Sequence, residues 1–491
     1  MKSLISLLFL IPIFIILSIL IIPNVEIKKI KFISIFGTCF LFFFSITWLL
    51  FYNLSIVSVN NSWFSFTYYS NFILFFNINY IVGLDGISLL LIILTTLLIF
   101  LCVLVNINTI TYRFKEYILL LLLLELLLLN TFSVLNLMYF YIFFESILIP
   151  MFFIIGIWGS RQRKIHAAYQ FFLYTFFGSV FMLISIVIMY LHLGSLNYEI
   201  LLLSKFSLNY QKLLWFAIFF SFAIKVPMIP VHIWLPEAHV EAPTAGSVLL
   251  AGILLKLGTY GMLRFLIPIF PNITLFYLPI IYTLCIIGIL YGSLTTLRQI
   301  DLKKIIAYSS IVHMNFALIG LFALNIEGMQ GSIYLMLSHG VVSGALFLCI
   351  GCLYDRYHTR IIKYYGGLVL TMPIFSLFFF IFLLANIAFP GTSSFIGEFL
   401  IFLGIFKENI TVGFISALGS VLSASYSIWL FNRVIFKTIN FKYFFIFRDL
   451  KTIERVMFYP LLFLVFLMGI YPKFFLDITY IPVLHILTLF M

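Results

Sequence analysis

The sequence predicts an all-α polytopic membrane protein of about fourteen transmembrane helices. Of its 491 residues, 64% are hydrophobic and only 9% are charged, the mean hydropathy is +1.21, and the apolar residues form long runs. A soluble domain carries about 25% charged residues, whereas a helix that crosses the hydrocarbon core needs about 20 consecutive apolar residues. This composition therefore excludes a soluble globular fold.

Apolar runs of sufficient length follow one another along the whole chain. The first run has no small-residue cleavage site after it, so we expect a permanent helix rather than a signal peptide. Only two polar stretches, 53–79 and 434–456, exceed a short loop, and neither has room for a soluble domain. The predicted spans lie near 3–23, 32–52, 84–106, 117–135, 136–157, 169–192, 213–238, 247–269, 274–295, 303–324, 331–354, 368–405, 412–433 and 457–480.

The net charge is +12, but the basic residues are distributed among the loops as membrane topology requires and do not form a nucleic-acid-binding surface. Most Lys and Arg lie in loops after odd-numbered helices, such as 28–31 and 161–164, and the opposite side receives few, among them Lys205, Lys212 and Arg264. The positive-inside rule places the odd loops on the cytoplasm-equivalent side and both termini on the other. We expect no nucleic-acid partner.

Two predicted helices are interrupted. Helix 7 has a cluster of prolines after Lys225, and helix 12 is interrupted at 388–392. Broken helices are tolerated in a bilayer only where they are buried in protein or line a watery cavity, and paired breaks point to inverted repeats with an ion site at the break. We therefore expect two inverted five-helix repeats, 111–270 (helices 4–8) and 271–440 (helices 9–13). The other predicted domains are 1–110 (helices 1–3) and 441–491 (helix 14).

Two lysines lie within long apolar runs, where a charged side chain is costly and usually marks an ion or proton pathway. Lys225 stands in FAIKVPMIP of helix 7, and Lys256 stands in LLAGILLKLGTYG of helix 8, without an acidic residue in its own helix. Glu145, in YFYIFFESILIP of helix 5, is a candidate partner for Lys225. Such a pair would either tune the proton affinity of the lysine or form a static salt bridge that fixes packing.

Further ionisable groups occur at comparable depth. His313, in IAYSSIVHMNF, and His339, in LMLSHGVVSGA, are either proton shuttles or packed histidines bonded to neighbouring carbonyls. Glu398, in SSFIGEFL after the break in helix 12, is a candidate loading or exit site. Glu125, within a run of leucines, is either a second carboxylate of the same pathway or a contact to a neighbouring subunit.

The segment after the prolines of helix 7 invites a metal interpretation because it contains His232, Glu237 and His239. It is not an HExxH motif, and Pro236 breaks the helical face that such ligands would share. A polar channel mouth that feeds the lysine site is the favoured interpretation.

The cysteines and glycines predict no cofactor on this chain. Cys349 and Cys352 form a CxxC, but no second pair of Cys or His completes a four-ligand set. The chain has neither GxGxxG nor GxxxxGK[ST], so a nucleotide site is not expected.

Long motifs cover about residues 80–480: AIKVPMIPVHIWLPEAHVEAPTAGSVLLAGILLKLGTYGMLRF, TLRQIDLKKIIAYSSIVHMN, LMLSHG, LYDR, PGTSSFIGEFL, WGSRQRKIHAAYQFFLYTFFGS and KYYGGL. Together they resemble the subunit 4 family of mitochondrial NADH:ubiquinone oxidoreductase, respiratory complex I. The resemblance implies a proton-translocating membrane subunit with one channel, coupled to quinone reduction elsewhere in the complex. It also implies a polar axis formed by Glu145, Lys225, Lys256, His313 and Glu398, with His339 as a further match.

The same resemblance implies the surroundings of the chain. NAD, FMN, iron–sulfur clusters and ubiquinone are expected on other subunits. Expected partners are the neighbouring antiporter-like subunits, a bracing lateral helix from one of them, and lipids. The implied location is the mitochondrial inner membrane, with both termini on the intermembrane-space side.

Two other functions remain open from the sequence. The chain could belong to a multi-subunit cation/proton antiporter of the same fold, which sodium coupling would distinguish. It could also be a structural membrane subunit whose buried charges serve packing alone, in which case charge-neutral substitutions would leave proton pumping intact.

Overall fold

The computed structural model describes residues 2–56, 64, 66–73, 78–438 and 447–490. Within these residues nearly all regular structure is helical, and eleven helices are long and apolar enough to cross a membrane. The prediction of an all-α polytopic membrane protein is confirmed. The total of fourteen spans and the inverted repeats stay predictions.

The helices, in chain order, are α1 Lys2–Ile21, α2 Ile27–Ile56, α3 Gly86–Thr109, α4 Phe114–Ser133, α5 Leu137–Ser146, α6 Leu148–Trp158, α7 Lys164–Leu193, α8 Tyr198–Leu203, α9 Leu208–Lys225, α10 Trp234–Glu241, α11 Thr244–Leu249, α12 Leu255–Gly261, α13 Ile267–Ile269, α14 Pro271–Arg298, α15 Leu302–Phe322, α16 Ile326–Tyr357, α17 Leu368–Thr371, α18 Pro373–Asn386, α19 Ser393–Glu408, α20 Ile410–Phe431, α21 Thr452–Ile470 and α22 Lys473–Leu487. Three π-helical segments, Leu250–Leu254, Met262–Leu266 and Asn432–Phe436, continue neighbouring helices, and Ile362–Tyr364 forms a 3₁₀ turn.

Several helices begin at a polar side chain that accepts a hydrogen bond from the first turn. Asn325 accepts from the backbone N–H of Gly328 at 2.8 Å, and Asp301 accepts from that of Lys303 at 3.0 Å. At α3, Asp85 and Ser88 form a capping box. These caps satisfy backbone donors that have no partner within the helix, so they fix where each helix begins.

Both predicted helix breaks are present. α9 ends at Lys225, and helical structure resumes at α10 after eight residues that include Pro227 and Pro230. α18 ends at Asn386 and α19 begins at Ser393. Proline cannot donate to the helical ladder, and Gly391 adopts a φ of 90°, which glycine tolerates without strain.

A two-stranded antiparallel sheet was not predicted. Strand β1 covers Phe66–Ile73 and β2 covers Ile78–Leu84, in the stretch that the sequence analysis left without regular structure. Tyrosine and isoleucine occur in both segments, and such aromatic and β-branched residues favour strands. Both strands are much shorter than a membrane-spanning run, so hydropathy over about 20 residues does not predict them.

The prediction of one C-terminal helix near 457–480 is wrong. The structure has α21 and α22, which are separated at Tyr471 and Pro472. Tyr471 has φ −122° and ψ 67°, outside the helical region, as a residue before proline prefers. A smaller interruption at Ile147 divides predicted helix 5 into α5 and α6.

The chain divides into two compact units. Unit 1 comprises Met1–Val226, Ile253–Leu278 and Ile478–Met491, and unit 2 comprises Pro227–Gly252 and Pro279–Asp477. In unit 1, α3 is the most buried of the N-terminal helices and packs on α2 and α4. In unit 2, α16 lies between α15 and α19 and is almost entirely buried.

Candidate functional site

Lys225 ends α9 inside unit 1, directly before the break in the helix. The residue is only 2% exposed, and its Nζ lies 4.5 Å from the centroid of the Phe144 ring on α5. Within the described part of the chain, Nζ has no hydrogen-bond partner. A desolvated ammonium over an aromatic face gains a cation–π interaction but lacks the hydrogen bonds that would stabilise its charge.

Glu145 lies on α5 next to Phe144, one residue before the end of this short helix. Its side chain is close enough to Lys225 for the two charges to interact. Among the described residues, however, neither the Glu145 carboxylate oxygens nor the Lys225 Nζ have a hydrogen-bond partner. The carboxylate and the ammonium are thus coupled neighbours that do not form the contact ion pair considered from the sequence.

The sequence explains why the helix is interrupted beside Glu145. Pro150 has no backbone N–H, so the carbonyl of Ser146 loses its usual helical donor four residues later. In the last turn of α5, the hydroxyl of Ser146 donates to the carbonyl of Ile142 at 2.6 Å. Pro150 was a visible signal of this interruption that the sequence analysis did not use.

Lys256 lies on α12 and is 0% exposed. Its helix is bracketed by the π-helical segments Leu250–Leu254 and Met262–Leu266. Such π-helical segments are rare and occur often at functional sites, because they rotate the side chains that follow. The hydropathy pattern does not predict these π-helical segments, because they are as apolar as the α-helices around them.

Gly258 brings the helix of Lys256 against the helix of Lys225. A Cβ at this position would lie 2.5 Å from Val226 Cγ2, 3.0 Å from the Phe222 carbonyl oxygen and 3.2 Å from the Lys225 Cβ. α12 can therefore approach α9 this closely only with glycine at position 258. The two buried lysines stand on helices that are in direct contact.

We expect Gly258→Ala to destabilise the protein by about 1–3 kcal/mol, because the added methyl overpacks the contact with α9. The same substitution at Gly156, where a Cβ would meet only Ala168 Cβ at 3.8 Å, is the matched control. Thermal unfolding of the purified assembly measures both. Equal melting temperatures for the two variants would contradict the close approach of α9 and α12.

A second cluster lies within unit 2. His313 on α15 and Glu398 on α19 are both buried, with His313 Nδ1 3.3 Å from Glu398 Oε1. The rings of His313 and His339, the latter on α16, have centroids 5.8 Å apart. Glu398 follows the break between α18 and α19. The structure thus brings together three candidates that are up to 85 residues apart in the sequence, and a carboxylate beside imidazoles can hold and pass a proton.

The candidate channel-mouth residues have separate surroundings in unit 2. His232 packs edge-on to Tyr291, and Glu237 is 3.0 Å from the Lys304 ammonium. His239 is fully buried and its ring stacks on Phe347 at 4.8 Å. The mouth function of these residues stays a prediction.

Glu125 lies on α4 of unit 1 and is 0% exposed. Because the chain alone buries the carboxyl group completely, the residue offers no surface to a neighbouring subunit. The choice between the two interpretations left open by the sequence stays a prediction.

A buried ion pair in unit 1 was not predicted from the sequence. Arg264, whose charge was counted for the opposite side of the membrane, lies in a π-helical segment, is buried, and pairs with Asp85, the capping residue of α3. Its guanidinium also lies over the rings of Phe64 and Tyr260. The sequence did contain a signal that Arg264 is buried, because Arg264 follows Lys256 by eight residues within one apolar run.

Unit 2 contains a further buried charge cluster that the sequence analysis counted only as loop charge. Arg360 is fully buried, donates to the carbonyl of Val240, and lies 3.8 Å from Glu241 and 3.7 Å from Asp301. The ammonium of Lys303 donates to the carbonyl of Ala242 at 2.8 Å. These contacts connect the end of α10 to the start of α15. They therefore hold α10, the first helix after the break in predicted helix 7, in place within unit 2.

A many-helix membrane fold with two broken helices, each beside buried ionisable side chains, defines the class of membrane proteins built to carry ions or protons. Residues 134–423 match the family described as NADH:quinone oxidoreductase/Mrp antiporter, transmembrane region. The chain belongs to this family.

Curated relatives and solved structures agree with the family assignment. The chain is 56% identical over 464 residues to NADH-ubiquinone oxidoreductase chain 4 of Marchantia polymorpha, covering 94% of this chain and 92% of the relative. It is also 56% identical over 459 residues to the chain 4 protein of Arabidopsis thaliana, covering 93% and 92%. A chain of respiratory complex I from Thermus thermophilus with bound NADH superposes with a TM-score of 0.89 at 27% identity, covering 99% of both chains. A chain of the Mrp complex from Dietzia sp. has a TM-score of 0.86 at 18% identity, covering 100% of both chains, and shows the shared fold.

Proposed function

We propose that this chain is a proton-translocating membrane subunit of NADH:ubiquinone oxidoreductase, of the chain 4 type. The identity to chain 4 proteins over more than nine-tenths of the sequence supports this assignment. The single observation that carries the proton function is Lys225, a buried lysine at a helix break without a hydrogen-bond partner among the described residues and with Glu145 as its electrostatic neighbour.

The proposed mechanism in unit 1 is electrostatic. Glu145 stabilises the protonated form of Lys225, and desolvation opposes it, so a small change in their separation shifts the proton affinity of the lysine. Quinone reduction elsewhere in the complex would supply that change. Lys256, on the helix packed against that of Lys225 at Gly258, is the proposed next carrier.

In unit 2, His313 and Glu398 are the proposed pair that holds and releases the proton, with His339 as a further carrier. We propose that all five residues of the predicted axis belong to one relay, as the resemblance implies. The contacts within each unit support the two parts separately. Glu125 is a proposed additional carboxyl group of unit 1, and His232, Glu237 and His239 are the proposed mouth.

The remaining features follow from membership in the complex. We propose that NAD, FMN, iron–sulfur clusters and ubiquinone bind other subunits, and that this chain performs no redox chemistry. Its proposed location is the mitochondrial inner membrane with both termini on the intermembrane-space side, beside other antiporter-like subunits and a bracing lateral helix.

Isolation on a native gel with an in-gel stain for NADH oxidation tests the proposal, with mass spectrometry to identify this chain. We expect the chain in a large assembly that oxidises NADH. A small complex without NADH oxidation would contradict the proposal and favour a cation/proton antiporter, whose members share this fold. Sodium-dependent proton exchange in proteoliposomes would then identify that function.

A further inference from the structure

The helices α1 and α2 of unit 1 form an apolar groove that the proton relay does not use. We propose that this groove binds an acyl chain of an anionic glycerophospholipid, whose phosphate group contacts Lys28. Three features of the described residues support the proposal: the lining of the groove, its length, and the charge at one end.

The groove is apolar along its whole length. Its volume is about 360 Å³, and phenylalanines from both helices line it, with Gly37 and Ile15 at its floor. A Cβ at Gly37 would lie 2.7 Å from Ile15 Cδ1, so the two helices touch there and the larger side chains stand to either side. The hydroxyl of Ser18, a polar side chain of the lining, is occupied because it donates to the Ile15 carbonyl at 2.7 Å. Such a surface fits methylene groups and offers nothing to a polar ligand.

The groove and the lysine beyond its end together span about one leaflet of a bilayer. Phe32, Phe36 and Phe40 form a stripe at four-residue spacing on α2, and they are 70%, 65% and 52% exposed. Lys28 precedes Phe32 by one further turn on the same stripe. At about 1.5 Å per residue, Lys28 and Phe40 are about 18 Å apart along the axis, and one leaflet of hydrocarbon measures about 15 Å. A lipid chain that starts below Lys28 would therefore end near the last phenylalanine.

The positive charge at the end of the groove nearest the α1–α2 loop favours an anionic headgroup. Lys28 is exposed and, among the described residues, has no carboxylate within 4 Å, whereas the neighbouring Lys29 pairs with Glu26 at 2.6 Å. Lys31 and Lys115 also lie at this end, where their ammonium groups donate to backbone carbonyls. The α1–α2 loop is on the side that the positive-inside rule assigns to the cytoplasm-equivalent surface, and basic side chains at this surface attract anionic lipids.

The dimensions disfavour a partner helix as the occupant. A helix with its side chains is about 10–12 Å in diameter, and a groove of about 360 Å³ over about two helical turns admits a single hydrocarbon chain instead. The stacked rings of Phe32 and Phe36, with centroids 6.2 Å apart, form a smooth wall suited to such a chain.

The test uses the intact assembly in nanodiscs of phosphatidylcholine that contain increasing fractions of dibrominated phosphatidylglycerol. Electron cryo-microscopy locates the bromine atoms, and their occupancy at each fraction gives the relative affinity. We expect bromine density beside Phe36 and Phe40. Lys28→Glu should lower the affinity about tenfold or more, since each basic residue near the surface contributes measurably to anionic lipid binding. Ser18→Trp should remove the density by filling the groove.

Lys205→Glu is the matched control, because Lys205 is an exposed lysine of unit 1 predicted on the opposite side of the membrane. It should leave the bromine density unchanged. A groove without bromine, a groove filled by a polypeptide helix, or equal occupancy by dibrominated phosphatidylcholine would each overturn the proposal. None of these outcomes bears on the proton relay, whose residues lie elsewhere.

Discussion

Lys225→Ala in the assembled complex should abolish proton translocation through this subunit. Removing a positioned proton carrier costs about 10²–10⁴-fold in transfer rate, so we expect the protons pumped per electron to fall while the complex remains assembled. The measurement is the ratio of proton uptake to NADH oxidation in proteoliposomes. Lys407→Ala is the matched control, because Lys407 is an exposed lysine that pairs with Glu327 on the surface.

Lys225→Arg separates a proton relay from a static charge. Arginine keeps the positive charge near Glu145 but remains protonated under all physiological conditions. If Lys225 only fixed packing, the arginine variant would pump normally. We expect it to be as defective as the alanine variant, and an unchanged ratio of protons to electrons in either variant would refute the relay.

Arg264→Met should destabilise the protein strongly, because it leaves the buried Asp85 carboxylate without its partner. Breaking a buried pair in this way costs about 3–5 kcal/mol. Asp85→Asn, which retains an N-cap side chain for α3, should have an effect of similar size by leaving the guanidinium unpaired. Thermal unfolding of the purified assembly in detergent measures both.

The double variant Asp85→Asn/Arg264→Met tests whether the loss comes from an unpaired charge. Replacing both members of a buried pair is often close to neutral, so we expect the double variant to be more stable than either single variant. Arg433→Met is the control, since Arg433 is exposed and lies over the Trp429 ring. Additive losses in the double variant would show that the two side chains act independently.

The sequence was a good predictor wherever one local property decided the outcome. Hydropathy over about 20 residues predicts a spanning helix because the bilayer imposes the length. Pro227 and Pro230 predicted the break after Lys225 because a proline cannot donate to the helical ladder. The same reasoning, applied to Pro150 and Pro472, would have predicted the interruption after Glu145 and the division of the C-terminal helix.

The sequence was a poor predictor wherever the outcome depended on two distant segments. Asp85 and Arg264 are 179 residues apart, and nothing local to either indicates the other. The contact of His313 with Glu398 likewise depends on how α15 and α19 pack within unit 2. Glu145 was a candidate partner of Lys225, and only the packing of α5 and α9 shows that the Phe144 ring lies under the ammonium.

Three properties could be read from the amino acids alone: the chain spans a membrane many times, two of its helices break, and ionisable residues lie at membrane depth. Those properties follow from composition, proline chemistry and the cost of burying charge, all of which are local. Which charges meet could be learned only from the folded chain, because the distance between two side chains depends on the packing of whole helices. Gly258 illustrates the difference. A glycine can occur in a helix for several reasons, and only the residues of α9 that lie against Gly258 show that close helix packing requires it here.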